Sequence, residues 1–506
     1  MAAEVQMSEV HDHPESHPQP APEADTPPHP EPADDLVTTR HTLRIGGAER
    51  AYTTTAGRIV VRQEVHKDDV FNGHRAKAEV FLTSYTLDGV EPGQRPVTFA
   101  FNGGPGSASV WLHIGLLGPR RVVMGDAGAL LPPPYGVTDN AETLLAHSDL
   151  VFIDPVSTGY SRAAQGEKPK DYHGYTGDIE SVGEVIRLWT SRNNRWLSPK
   201  YLCGESYGTL RAAALCRHLQ ERFGMNLNGL MLISSVLDLG TLEFSPDQDV
   251  SYPLYLPTYA AIAHYHGLHG ERPLADVLAE AERFAGREYP WALARGSRLA
   301  PQERAEVLTT LARLTGLDAG YLDRVNLRVE HVRFFTELLR SRQRTVGRLD
   351  GRFLGWDADY GQERFTADPS YDAIVGPYTA AINHYLRAEL GYANDLPYEV
   401  LTNRVEPWSY KEFEGKPVTV ADKLAAAMRA NPHLRVYVAC GYHDGATAYH
   451  ATEHTISHLA IPDQLRANIE LRYFEAGHMM YVHEPSRLAL SRQLAAFVSG
   501  AASEDS

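Results

Sequence analysis

Gly204-Glu205-Ser206-Tyr207-Gly208 sets the tightest limit on what this chain can be. Ahead of it, Tyr201-Leu202-Cys203 is the short apolar run of a buried strand end. Behind it, Leu210, Ala213, Ala214, Leu219 and Phe223 recur at helical spacing. Strand, sharp turn and helix are the context in which G-x-S-x-G becomes a nucleophile elbow, with the serine hydroxyl pushed out above the sheet edge. The flanking glycines leave room where a side chain would strike the neighbouring strand or helix.

The rest of the chain is organised around that turn. Val97 to Phe101, Leu150 to Ile153, Leu230 to Ile233, Arg435 to Ala439 and Ile469 to Phe474 read as strands, most of them continuous apolar runs. Helical stretches at 171–193 and roughly 485–498 alternate with them, which predicts βαβ units and a mostly parallel sheet. Thr42 to Ile45, Arg58 to Val61 and Ala78 to Leu87 read as antiparallel strands leading into it. The predicted fold class is therefore α/β, with helices on both faces of the sheet. Residues 1–38, rich in Pro, His and acidic residues, are expected to be a disordered tail. His11, His13, His17 and His29 there lack any fixed geometry for a metal. The core is expected at 39–240 and 411–506. Residues 241–410 change texture to Arg- and Glu-rich helical spacing and read as a helical cap. Tyr252, Tyr255, Tyr259 and Trp291 in that cap are candidates to line a pocket, against the ordinary role of such residues as core.

A serine hydroxyl needs a base, and the base needs an orienting acid. In this strand–elbow–helix context the chain order is serine, acid, histidine. The strand at 436–439 runs into Cys440-Gly441-Tyr442-His443-Asp444, and the strand at 469–474 runs into Glu475-Ala476-Gly477-His478. Ser206, Asp444 and His478 are thus the candidate triad, each just past a strand end. His443, beside Asp444, and the nearby His450, His454 and His483 are the rival histidines. Glu475 is the rival acid, three residues from His478 and too close in sequence to reach the far ring nitrogen. The loop Asn102-Gly103-Gly104-Pro105-Gly106 follows the strand that precedes the elbow. It is either a tight turn or an oxyanion hole, in which the N–H groups of Gly104 and Tyr207 would bind developing charge.

Composition excludes several classes. A net charge of −16 argues against a nucleic-acid partner. No apolar run approaches a membrane span, and no signal peptide is evident, so the expected location is cytoplasmic. Three cysteines, Cys203, Cys216 and Cys440, do not make a disulfide framework. No metal or cofactor is called for; a homodimer is left open.

Asn102-Gly103-Gly104-Pro105-Gly106-Ser107, Gly204 to Gly208, Gly441 to Asp444 and Ala476 to Met479 resemble, in order, four signatures of the serine carboxypeptidase family (peptidase family S10). Asp154 to Ser161 resembles the segment between the first two. The resemblance implies an α/β-hydrolase fold with a helical cap and a peptidase that removes C-terminal residues. It also implies that Asn102, Gly103 and Glu205 contact the substrate, Asn102 and Glu205 holding its terminal carboxylate. Two positions depart from the family pattern: Ala100 stands where Trp is usual, and Leu116 where Glu is usual. Arg120 or Arg121 is a candidate replacement charge. An esterase or acyltransferase on the same triad is the alternative, and a non-catalytic binding protein is the alternative of another class.

Overall fold

The computed structural model describes residues 31–500. Nine strands form one twisted sheet: β1 Asp35–Ile45, β2 Ala48–Lys67, β3 Val70–Leu87, β4 Val97–Phe101, β5 Asp149–Ile153, β6 Lys200–Ser206, β7 Gly229–Ser235, β8 Arg435–Gly441 and β9 Ile469–Phe474. Their spatial order is β1-β2-β3-β5-β4-β6-β7-β8-β9, with Arg162–Ala163 added beside β3. From β5 to β9 every pairing is parallel. β1, β2 and β3 pair antiparallel, and β3 meets β5 antiparallel. The fold is an α/β-hydrolase fold.

Burial explains the strand chemistry. β4, β5 and β7 are buried at every residue, as strands covered on both faces must be, and their sequences are apolar runs without alternation. The antiparallel strands are far longer than their sequence signal. Their outer ends are exposed and polar, and Asp68 and Asp69, at φ 53° and 60°, close β2 to β3 in a turn that needs two left-handed residues. β1 starts at Asp35, so the last residues of the stretch read as a tail are strand and 31–34 have no regular structure; the rest of that reading, with its four histidines, falls on residues 1–30, outside the described ones.

Helices Tyr175–Arg192 and Tyr207–Phe223 pack one sheet face around Val185, Ile186, Leu210 and Leu215. The helix Glu484–Ser499 packs the other, with Leu490, Leu494 and Phe497. Within 241–410 lie helices Ser251–Tyr265, Leu274–Ala285, Glu288–Arg295, Pro301–Thr315, Ala319–Arg324 and His331–Glu337. They enclose a core of their own, in which Tyr259 and Phe334 stack at 4.1 Å. Tyr252 and Tyr255 belong to that same core rather than to a pocket wall, and Trp291 is largely solvent-facing. A helix Pro369–His384 returns to the sheet side, where Tyr378 meets Trp111 at 4.9 Å. Two-residue strands Thr345–Val346 and Leu354–Gly355 pair between the two groups of helices; no apolar run announces strands this short. Among the described residues no helix is long and apolar enough to cross a membrane. Cys203, Cys216 and Cys440 are all free and buried.

Candidate active site

β6 ends at Ser206, and the following helix begins at Tyr207. Ser206 sits at φ 60°, ψ −130°. That conformation costs a non-glycine residue about 1–3 kcal/mol and persists only where the surroundings impose it. The surroundings are tight. A Cβ on Gly204 would stand 2.1 Å from the carbonyl oxygen of Gly208, and one on Gly103 would stand 2.4 Å from the Tyr207 nitrogen. The glycine loop is thus seated directly on the elbow.

A buried ion pair fixes that seating. Arg211, on the helix after the elbow, pairs with Asp178 at 2.7 Å, and both are essentially sealed from solvent. A second arm of Arg211 donates to the carbonyl of Asn102. Removing one partner of such a pair strands a buried charge, which costs several kcal/mol, so the loop and the helix are held together firmly. The Tyr207 N–H lies in the first turn of its helix and has no intrahelical acceptor. Among the described residues the Gly104 N–H donates to nothing. Two donors are therefore free beside Ser206.

Asp444 and His478 arrive from the loops after β8 and β9. Asp444 is fully buried and its two oxygens are used differently. Oδ1 accepts the N–H groups of Ala446 and Thr447, both at 2.9 Å. Oδ2 accepts the Thr447 hydroxyl at 2.7 Å and His478 Nδ1 at 2.8 Å. With an ionised acceptor on Nδ1, the proton belongs there and Nε2 is left with its lone pair. Burial opposes a charged ring, but the Asp444 charge and hydrogen bond, with Glu205 nearby, outweigh it and hold His478 above its ordinary value. The His478 loop is pinned by its N–H on the Leu349 carbonyl, 2.6 Å, and by its carbonyl on the Ser234 hydroxyl, 2.6 Å.

Ser206 and His478 line one cleft of about 890 Å³, within the size range of small-molecule sites. Among the described residues no hydrogen bond joins the Ser206 hydroxyl to the ring. Asn102, Gly103, Gly104, Glu205 and Tyr207 line the same cleft, together with Trp111, Thr447 and the cap-side residues Arg348, Leu349 and Asp368. The rivals do not converge there. His443 is buried with its ring against Tyr265, and Glu475 is exposed. Arg120 is committed to Asp139 and Glu389. Arg121 lines a different cavity, beside Glu484. Neither arginine supplies charge to the cleft. Ala100 and Leu116 are buried and give the site no polar group. Among the described residues no cluster of side chains could hold a metal ion.

Glu205 carries a second buried constellation. Oε1 accepts Asn102 Nδ2 at 2.9 Å, and Oε2 meets the Tyr481 hydroxyl at 2.7 Å. Tyr481 is not legible in the sequence; it lies three residues past His478, in a turn without distinguishing spacing. Burial pushes Glu205 up to about 7, the Asp444 charge adding to it, although His478, Tyr481 and Asn102 pull the other way. Its folded value lies above the ordinary 4.5, so between roughly pH 4.5 and 7 the folded state holds a proton that the unfolded state lacks. Stability must fall as pH rises through that window, by about 3 kcal/mol from this group alone. Glu205→Gln removes the effect, because the amide stays neutral at every pH; its oxygen keeps the Asn102 donor, and its NH₂ turns to the Tyr481 oxygen, which then accepts where it had donated. In urea melts at pH 5 and pH 8, the variant is expected to gain about 3 kcal/mol relative to the parent on going to the higher pH. An unchanged gap would mean that Glu205 is already ionised at pH 5.

Sheet order, elbow and the Asp–His pair define the class as an α/β-hydrolase. Residues 74–269 match the serine carboxypeptidase family. The match takes in the glycine loop and the elbow and ends before Asp444 and His478. A curated relative, serine carboxypeptidase-like 36 of Arabidopsis thaliana, is 27% identical over 160 residues, which is 30% of this chain and 31% of the relative. The chain thus spans under a third of that relative's length. Similar solved structures include a peroxisomal α/β-hydrolase from Saccharomyces cerevisiae, 10% identical over 94% of this chain and 92% of that one, TM-score 0.34. An epoxide hydrolase from Aspergillus niger is 11% identical over 88% and 79%, TM-score 0.33.

Proposed function

We propose that this carboxypeptidase-type hydrolase is a serine carboxypeptidase that cleaves peptide bonds through an acyl-enzyme on Ser206. One observation carries the reading. A sealed carboxylate holds His478 Nδ1 through Oδ2, and His478 lines the same cleft as a serine held in a strained elbow. In the reaction the Ser206 oxygen attacks the substrate carbonyl carbon while its proton passes to His478 Nε2. The carbonyl oxygen becomes an oxyanion between the N–H groups of Gly104 and Tyr207. As the carbon–nitrogen bond breaks, His478 returns the proton to the leaving amine. Water then repeats the sequence, and its proton also passes through His478. The serine–histidine hydrogen bond of such sites is often formed only once substrate is bound. Asn102 and protonated Glu205 would receive the terminal carboxylate. A peptide or protein is the substrate, and no cofactor takes part.

A fluorophosphonate is expected to label Ser206 and no other serine, with the adduct located by mass spectrometry. An N-blocked dipeptide should turn over faster than its C-terminal amide. An esterase reading has one observation behind it: Ala100 and Leu116 leave carboxylate recognition short of two polar groups. It predicts equal rates on acid and amide, with the ester ahead of both. Labelling without any preference for the free acid would replace the carboxypeptidase reading with the esterase one; a folded protein that stays unlabelled would overturn both.

A further inference from the structure

Of the two arginines lining the cleft, Arg348 alone has an uncommitted guanidinium among the described residues. Arg404 pairs with Glu399 at 2.8 Å. The Asp368 carboxylate is occupied by the N–H groups of Arg348, Leu349 and Ser370 and by the Ser370 hydroxyl. Glu205 accepts from Asn102 and Tyr481 and carries no positive charge. Among the described residues the Arg348 side chain makes neither an ion pair nor a hydrogen bond, yet it lines the cleft together with Ser206, Thr447 and His478.

Its backbone, by contrast, is fixed at every polar atom. The Arg348 N–H donates to Asp368 at 3.1 Å, and its carbonyl accepts the Gly445 N–H at 3.0 Å, one residue past Asp444. The next carbonyl, of Leu349, takes the His478 N–H. The cation is therefore mounted on the loops that carry the acid and the base. Arg348 is half-buried, its guanidinium has no partner among the described residues, and it lines the same cleft as Ser206, so it can take an anion of planar, bidentate geometry.

We propose that Arg348 is the counter-ion for a substrate carboxylate and that the enzyme selects substrates bearing one close to the scissile bond. This rests on the serine-hydrolase reading of the same cleft. The arginine supplies a permanent charge to a cleft to which the buried Ala100 and Leu116 supply none. Unlike Glu205, which can donate to a carboxylate only while protonated, it binds the anion at any pH the fold survives. The carboxylate can be the one at the chain terminus or an acidic side chain next to it; the chemistry is common to both.

The test is protection of Ser206 from a fluorophosphonate by small ligands, which needs no knowledge of the best substrate. Three probes are used on the full chain: N-acetyl-phenylalanine, its amide, and N-acetyl-aspartic acid α-amide. In the parent, at least one of the two carboxylates is expected to protect at roughly tenfold or more lower concentration than the neutral amide, as a charge-assisted bidentate contact should give. Arg348→Gln is expected to abolish that preference, protection in each protein being read against its own labelling rate without ligand. Arg348→Lys should restore part of it. Protection by the first acid identifies a terminal carboxylate, and protection by the second a side-chain one. Acid and amide weakened equally in Arg348→Gln, or an undiminished preference, would overturn the proposal and leave the hydrolase reading intact. A parent whose Ser206 is never labelled would overturn both.

Discussion

Replacing Ser206 with alanine is expected to lower turnover by roughly 10⁵- to 10⁶-fold with little change in stability. The magnitude follows from the role proposed for the residue. Without Oγ no acyl-enzyme forms, and only substrate binding and the two N–H donors of Gly104 and Tyr207 remain to favour the reaction. The fold should tolerate the change. Alanine inherits the same φ of 60°, so the strain of the elbow is neither relieved nor increased, and no hydrogen bond of the serine hydroxyl is lost among the described residues. His478→Ala should cost about as much, and the double variant little more than either alone, because the groups act as one unit. Steady-state rates on an N-blocked dipeptide, with thermal melts as the control for folding, check this. Residual activity above about 1% of the parent would show that another group is the nucleophile. Losses that multiply in the double variant would show that Ser206 and His478 serve separate steps.

Much of this site could be read before any coordinates. Central strands reveal themselves because both faces are buried, so β4, β5, β6, β7 and β8 carry apolar runs that stop where the chain leaves the sheet. Loops of the cleft begin at those stops, which is why the sequence, with 23 histidines and 64 acidic residues, could point to Asp444 and His478, the pair that the structure joins at 2.8 Å. What sequence hides is anything decided by distant packing. Arg211 and Asp178 look like ordinary helical charges, yet burial makes them the clamp between the glycine loop and the elbow. Tyr481 gains its role only because the turn after His478 folds back onto Glu205. Arg348 lies in a stretch whose texture says only helix and charge. Its place in the cleft depends on backbone hydrogen bonds to two loops far along the chain, at Gly445 and His478. The long exposed ends of β2 and β3 stay hidden for the opposite reason: where neither face is buried, alternation of apolar and polar residues has no cause.

Asp444→Asn is expected to lower kcat/KM by about 10⁴-fold while leaving the fold in place. The reason lies in which protons face Asp444. Two N–H groups, of Ala446 and Thr447, point at Oδ1. An asparagine must turn its carbonyl oxygen toward them, since turning its NH₂ that way would set donors against donors. The NH₂ then occupies the place of Oδ2, facing His478 Nδ1 and the Thr447 hydroxyl. Now the asparagine donates and the ring must accept, so Nδ1 loses its proton and Nε2 gains it. A protonated Nε2 cannot take the proton of Ser206, and the base is blocked by its own tautomer. Of the hydrogen bonds at residue 444, those to Ala446, Thr447 and His478 each have a ready equivalent, so melting should shift far less than activity does. The fluorophosphonate labelling rate should fall by a factor similar to that in kcat/KM, because both require the same proton transfer. An Asp444→Asn enzyme within about tenfold of the parent would mean that some other acid orients His478. Glu475, exposed at the strand end, would then have to swing inward to do so.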